Sequence, residues 1–253
     1  MSYYRSKYFT TLSKKKIKYL FIKKNSQITV VFFHGFMSDM IGKKPTAIQK
    51  FCRKNKLNFL KFEYSGHGKS TGKFIEGNIS KWTDEAKQLI KSKIKKDNNL
   101  IFIGSSMGSW IALNLFSFFK EQIKGFIGIA SAPEFLEKLM WKKFSKKIKK
   151  IIMTKKIYHL EHGGFIYPIT KQLIFDGRKN KVLNNKINLK IPIVLFHGTK
   201  DEVVPLNLSK KILKICKKSK RKLIKIKNGN HSLSRKSDLK KICNELNYMM
   251  RNI

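Results

Sequence analysis

Short apolar runs rich in β-branched and aromatic residues recur along the chain at Phe9–Leu12, Ile17–Ile22, Ile28–Phe33, Leu57–Phe62, Leu100–Ile103, Gly125–Ile129, Ile191–Phe196 and Leu223–Ile226. Runs of this length bounded by turn residues predict strands. The first three follow one another without room for helices and predict an antiparallel start. From Leu57 onward helical patterns separate the runs, which predicts right-handed crossovers and a parallel sheet. Pro45 is placed to open a helix reaching about Asn55. Ser80 is expected to cap another running to Lys96, with Trp82, Ala86, Leu89 and Ile90 on its apolar side. Leu206–Lys217 and Lys236–Met250 predict the last two helices. The stretch 133–188 breaks the alternation and carries helical spacing in Phe135, Leu136, Leu139 and Met140, so it predicts a small helical cap inserted between two strands. The expected architecture is one α/β domain over 1–253, a mostly parallel eight-stranded sheet flanked by helices.

Composition supports a soluble globule, since 42% of the 253 residues are hydrophobic and 12% aromatic, too many for a disordered chain. The charge is extreme: 56 Lys+Arg against 15 Asp+Glu give +41. An anionic partner follows from such a field only in a non-specific sense. Only six of the basic residues are Arg, the side chain that forks onto bases and phosphates, and the excess is spread over the whole chain. Specific nucleic-acid binding is therefore not expected. Three cysteines (Cys52, Cys216, Cys243) form no C-x-x-C pair and point to a reducing, cytoplasmic compartment. The stretch from Met1 to Lys16 is basic and lacks the apolar run of a secretory signal. The longest uncharged segment, Asn98–Phe119, holds Gly104, Ser105, Ser106, Gly108, Ser109 and Asn114 and reads as strand, turn and helix rather than a transmembrane span.

Chemistry concentrates at three strand ends. The run Leu100–Ile103 enters Gly104-Ser105-Ser106-Met107-Gly108 and then an apolar helical pattern, the strand–elbow–helix setting that G-x-S-x-G requires. By frame Ser106 is the nucleophile and Ser105 is not. A serine hydroxyl needs a base, and the order in this arrangement is Ser, acid, His. Asp201 follows the strand Ile191–Phe196, and His231 follows Leu223–Ile226. Both leave the carboxyl ends of parallel strands, on the edge where open α/β sheets bind ligands. Glu202 is the rival acid and should point away. Phe36, in His34-Gly35-Phe36 after Ile28–Phe33, and Met107 are the candidate oxyanion donors through their backbone N–H groups, with His34 structural. Trp141, Phe165 and Tyr167 are candidates to line an apolar substrate pocket, or to pack as ordinary core. Gly66-His67-Gly68-Lys69-Ser70 resembles a phosphate loop, but the required first glycine is Glu63. His159, Glu161 and His162 lack a third spaced ligand, so no metal is expected.

With these residues in view, the chain resembles the α/β-hydrolase family, and within it the palmitoyl-protein thioesterase and acyl-glucuronide esterase branch with its bacterial relatives. The resemblance is carried by Phe32–Phe36, Ala47–Cys52, Phe62–Ser70, Ile103–Trp110 and His197–Pro205. It departs at Glu63, where relatives carry Asp in a loop apart from the triad. The resemblance implies Ser106, Asp201 and His231 as the triad, no cofactor, and a small-molecule or acylated-protein substrate cleaved at an ester or thioester. A peptidase or carbon–carbon hydrolase with the same triad, and a non-catalytic polycationic scaffold, remain as alternatives. The sequence leaves oligomeric state open.

Overall fold

The computed structural model describes residues 5–253; Met1–Tyr4, the start of the basic N-terminal stretch, lie outside the described residues. Strand periodicity sets the two faces of the sheet. Along β5 (Asn99–Ser105), Leu100 and Phe102 join the core on one side while Ile101 and Ile103 join the core on the other. β3 (Ile28–Phe33) divides Val31 and Phe33 from Val30 and Phe32 in the same way. Strands apolar on both faces must be covered on both faces, which is the setting of parallel sheets. Helices α1 (Lys43–Lys54) and α7 (Lys236–Met250) cover one side with Ile48, Cys52, Ile242, Leu246 and Met249. Helices α2 (Ile79–Lys93), α3 (Met107–Asn114) and α6 (Leu206–Ile215) cover the other with Trp82, Leu89, Ile111, Leu208 and Ile212. The uncharged segment Asn98–Phe119 is thus largely β5 followed by α3.

The remaining strands of the sheet are β1 (Lys7–Thr10), β2 (Lys16–Ile22), β4 (Asn58–Phe62), β6 (Ile123–Ile129), β9 (Pro192–Gly198) and β10 (Lys220–Ile226). Their order is β1-β2-β4-β3-β5-β6-β9-β10. The antiparallel start needs correcting. β1 and β2 pair antiparallel and β2 pairs antiparallel with β4, but β3 lies between β4 and β5 and is parallel to both. The reason is burial: Thr29–Phe33 are all buried, so β3 belongs in the covered interior rather than beside an edge ribbon. The cap of α2 also differs, because Asn78 holds it, its side chain accepting from the Lys81 N–H at 2.9 Å. Ser80 instead lies in the first turn and accepts from Asn180 Nδ2 at 2.8 Å.

Between β6 and β9 the chain makes a long excursion. Turns over Leu136–Lys143 lead to α4 (Lys146–Lys155), a hairpin of β7 (Ile157–His162) and β8 (Phe165–Thr170), and α5 (Lys171–Lys179). The helices were expected and the hairpin was not. Its turn is Gly163-Gly164, both at positive φ (58° and 77°), a two-residue connection flanked by β-forming residues. Buried Glu134 ties the two feet of the excursion. Its Oε1 accepts from the Val182 and Leu183 N–H groups at 3.0 and 2.8 Å, and its Oε2 meets Lys138 Nζ at 3.0 Å.

Candidate active site

The carboxyl ends of β3, β5, β9 and β10 share one edge, because these strands belong to the parallel part of the sheet. At the end of β5, Ser106 adopts φ 51° and ψ −117°. Its N–H donates to Ile129 O at 2.9 Å, which fastens the strained turn to β6. The flanking glycines are steric necessities. A Cβ at Gly104 would stand 2.5 Å from Ser109 Cα, and one at Gly108 would stand 2.2 Å from Phe33 O. The turn therefore presses α3 against the end of β3, the strand that leads into Gly35-Phe36.

Asp201, Glu202 and His231 leave the next two strand ends. His231 Nε2 lies 3.2 Å from Ser106 Oγ, and His231 Nδ1 lies 2.9 Å from Asp201 Oδ2. Asp201 Oδ1 accepts from the Val203 and Val204 N–H groups at 3.0 and 2.8 Å, so the carboxylate is held by its own loop. Burial alone would raise the Asp201 pKa, but the hydrogen bond and charge of His231, with the two backbone donors, hold it below the usual carboxylate range. The arrangement keeps an anion behind an imidazole whose other nitrogen faces a hydroxyl. Glu202 is exposed and takes no part in these contacts. Gly35 abuts the serine: a Cβ there would lie 3.5 Å from Ser106 Cβ. Phe36 and Met107 thus flank Ser106 from the loop and from the first residue of α3.

A family profile described as Hydrolase_4, serine aminopeptidase S33, matches residues 24–172. The chain belongs to this hydrolase family. It is 27% identical over 215 residues to the human protein named palmitoyl-protein thioesterase ABHD10, mitochondrial, across 83% of this chain and 69% of that protein. A putative hydrolase from Agrobacterium vitis S4 superposes with a TM-score of 0.91 at 27% identity, covering 97% of this chain and 98% of the other. Mouse alpha/beta hydrolase domain-containing protein 10 gives 0.89 at 24% identity over 98% and 99%. The fold is the α/β-hydrolase fold, and the protein is a hydrolase.

Within this hydrolase, residues outside the proposed triad brace the loops around the serine. His34 is buried; its Nδ1–H donates to Gly35 O at 2.8 Å and its Nε2 accepts from the Tyr64 N–H at 3.4 Å. Holding the Gly35 carbonyl fixes the peptide that carries the Phe36 N–H. Glu63 Oε2 accepts from the Lys69 N–H at 2.7 Å, and its carboxyl fills the space beside Gly68 that a Cβ would need. That glycine has φ +52°, so the loop is built around this carboxyl. Half-buried Lys44 reaches from α1 to donate to Ser232 O, the residue after His231, and burial pushes its pKa down to about 8. Nothing in the lysine-rich sequence distinguished Lys44.

The three aromatic candidates separate. Tyr167 stacks on Phe36 at 6.1 Å and 9°, which places it beside the serine loop. Phe165, at the hairpin tip on the same face of β8, is 66% exposed, with its ring 6.5 Å from Tyr167. Trp141 lies under Arg178, 4.9 Å from the guanidinium, and packs on the core instead. A cavity of about 520 Å³ bordered by Ile75, Ile157 and Phe175 touches none of Ser106, Asp201 and His231. His159, Glu161 and His162 lie in β7, and among the described residues no group of three His, Cys, Asp or Glu could hold a metal ion.

Acid sensitivity is an expected property of this site. His34 and His67 pack ring to ring at 5.0 Å, and burial lowers both pKa values, that of His67 to about 4. Unfolded histidine titrates near 6.5. Below that pH the unfolded chain takes up protons that the fold refuses, so stability is complete above about pH 6.5 and declines as pH falls toward 4. Each ring should contribute a slope approaching about 1.4 kcal/mol per pH unit. Urea midpoints between pH 7 and 4.5 should fall, and His67→Asn should flatten the decline; a flat profile for the unsubstituted protein would contradict the burial argument.

Proposed function

We propose that the protein is a serine hydrolase that cleaves carboxylic esters or thioesters through an acyl-enzyme. The observation that carries this reading is the hydrogen-bonded series Ser106–His231–Asp201 at the strand-end edge. In the proposed cycle His231 Nε2 takes the Ser106 Oγ proton as Oγ bonds to the acyl carbon. The Phe36 and Met107 N–H groups receive the developing oxyanion, and Asp201, kept ionised, stabilises the imidazolium. Collapse breaks the bond to the alkoxide or thiolate, which leaves with the proton from His231. Water, deprotonated by the same nitrogen, then releases the acid. The likeness to ABHD10, named a palmitoyl-protein thioesterase, supports acyl thioesters of proteins or small molecules as substrates.

The excursion 133–188, read as the cap, would supply the acyl site through Tyr167 and Phe165. Phe165→Ala is expected to raise KM severalfold for decanoyl p-nitrophenyl ester and to leave the acetyl ester unchanged, since only the longer chain reaches the hairpin tip. No helix among the described residues is long and apolar enough to cross a membrane. The ABHD10 relatives are named mitochondrial, and the proposed reducing compartment for this chain is cytoplasmic or mitochondrial. The test is labelling by a fluorophosphonate probe, followed by a chain-length series of p-nitrophenyl esters and thioesters. Labelling that vanishes in Ser106→Ala supports the reading. Absence of labelling in the folded protein removes it, and faster turnover of aminoacyl p-nitroanilides would move it to peptide bonds.

A further inference from the structure

We infer that His197 is a positioning residue for the acid of the proposed triad, acting through Val204. The inference rests on the reading of Asp201 as the partner of His231. His197 is the next-to-last residue of β9 and is buried. Its Nε2 is 2.9 Å from Val204 O and its Nδ1 is 2.9 Å from Ser209 Oγ, itself buried at the start of α6. Val204 O can only accept, so Nε2 carries the proton and Nδ1 accepts from the Ser209 hydroxyl. The same Val204 residue donates its N–H to Asp201 Oδ1 at 2.8 Å. One residue is therefore gripped on its carbonyl by His197 and grips the carboxylate with its amide. His197 Nε2 also lies 3.6 Å from Asp201 Oδ2, too far for a hydrogen bond.

The charged and titratable groups around this imidazole are few. Asp201 is the carboxylate that faces it, His231 stands on the far side of that carboxylate, and Lys225 borders the small cavity beside His197 and Asp201. The geometry ties the Asp201 loop to β9 through His197, whose other ring nitrogen is held in turn by Ser209 of α6. Without the donor at Nε2, Val204 loses the hold on its carbonyl, and the N–H on the other side of its Cα is less firmly fixed on Asp201 Oδ1. The carboxylate would then drift from His231 while the acyl site stays untouched.

The experiment compares His197→Asn, which lacks a donor at the Nε2 position, with His197→Gln, whose amide nitrogen reaches it. Hydrolysis of p-nitrophenyl butyrate by the whole chain is followed from pH 5 to 9, with kcat expressed per fluorophosphonate-titrated site so that unfolded protein does not count. The Asn variant should lose about 100-fold in kcat with KM unchanged, the scale of an ångström-sized misplacement. Its acid limb should move to lower pH by about one unit as His231 loses its anion. The Gln variant should recover most of the rate and the original limb. Should the Asn variant not fold, His197→Cys, which also lacks that donor, replaces it. Equal losses in the Asn and Gln variants, or an Asn variant with the normal rate and limb, would overturn the inference. An Asp201→Asn variant with unchanged rate and limb would instead remove the acid assignment on which it stands.

Discussion

Replacing Ser106 with alanine should lower kcat by about six powers of ten, near 8 kcal/mol at 1.36 per decade, and leave the fold intact. The size follows from the chemistry. Without Oγ there is no acyl-enzyme, and His231 can only help a water attack from a position built for the serine. The donors at Phe36 and Met107 would still bind an oxyanion, so a residual rate above that in water is expected. The fold should survive because alanine keeps Cβ, and the Ser106 backbone bonds to Ile129 and Ala132 do not involve the hydroxyl. Asp201→Asn should cost less, about four powers of ten, since the nucleophile remains while the imidazole loses its anion. The kcat and a thermal scan of both variants, with active-site titration of Asp201→Asn, check the pair. Near-normal turnover in Ser106→Ala would sink the mechanism.

Gly108→Ala should fail for a different reason. The added methyl would lie 2.2 Å from Phe33 O and 2.6 Å from His34 O, both backbone atoms that no rotamer change can move. Relief requires α3 to lift from the end of β3. Overpacking of this kind costs about 3 kcal/mol, and here the displaced elements are the two that bring Met107 and Phe36 to the serine. A shift of an ångström between them should cost about another 100-fold in kcat. The denaturant midpoint and kcat should fall together. Wild-type values for both would show that the close approach at Gly108 is not required.

The elbow could be read from the chain because its glycines answer to backbone contact, and contact of that kind leaves no choice of residue. Asp201 and His231 each follow a strand on the same edge, and the structure brings His231 to Ser106 and Asp201 to His231. Strand neighbours were less legible. Period-two alternation reports which face a side chain takes, but not which strand lies alongside, so β3 was placed with the antiparallel start. The hairpin of β7 and β8 was hidden by lysines and helix-forming runs on either side, although Gly163-Gly164 marked its turn. Lys44 was invisible because its contact with Ser232 spans 188 residues, and one lysine among fifty carries no signal. The ties of His197 were equally hidden, since a strand histidine announces burial but not the peptide it holds.

The buried carboxylate of Glu134 closes the stretch 135–181 into a loop whose two feet are stapled at one point beside the sheet. The exposed Gly163-Gly164 turn of such a loop can be lengthened at small cost in chain closure, because loop-closure entropy grows only slowly with length. The strand-end site and the excursion are in that sense parts that meet at defined points, Glu134 at the feet, Asn180 on Ser80 and Tyr167 on Phe36.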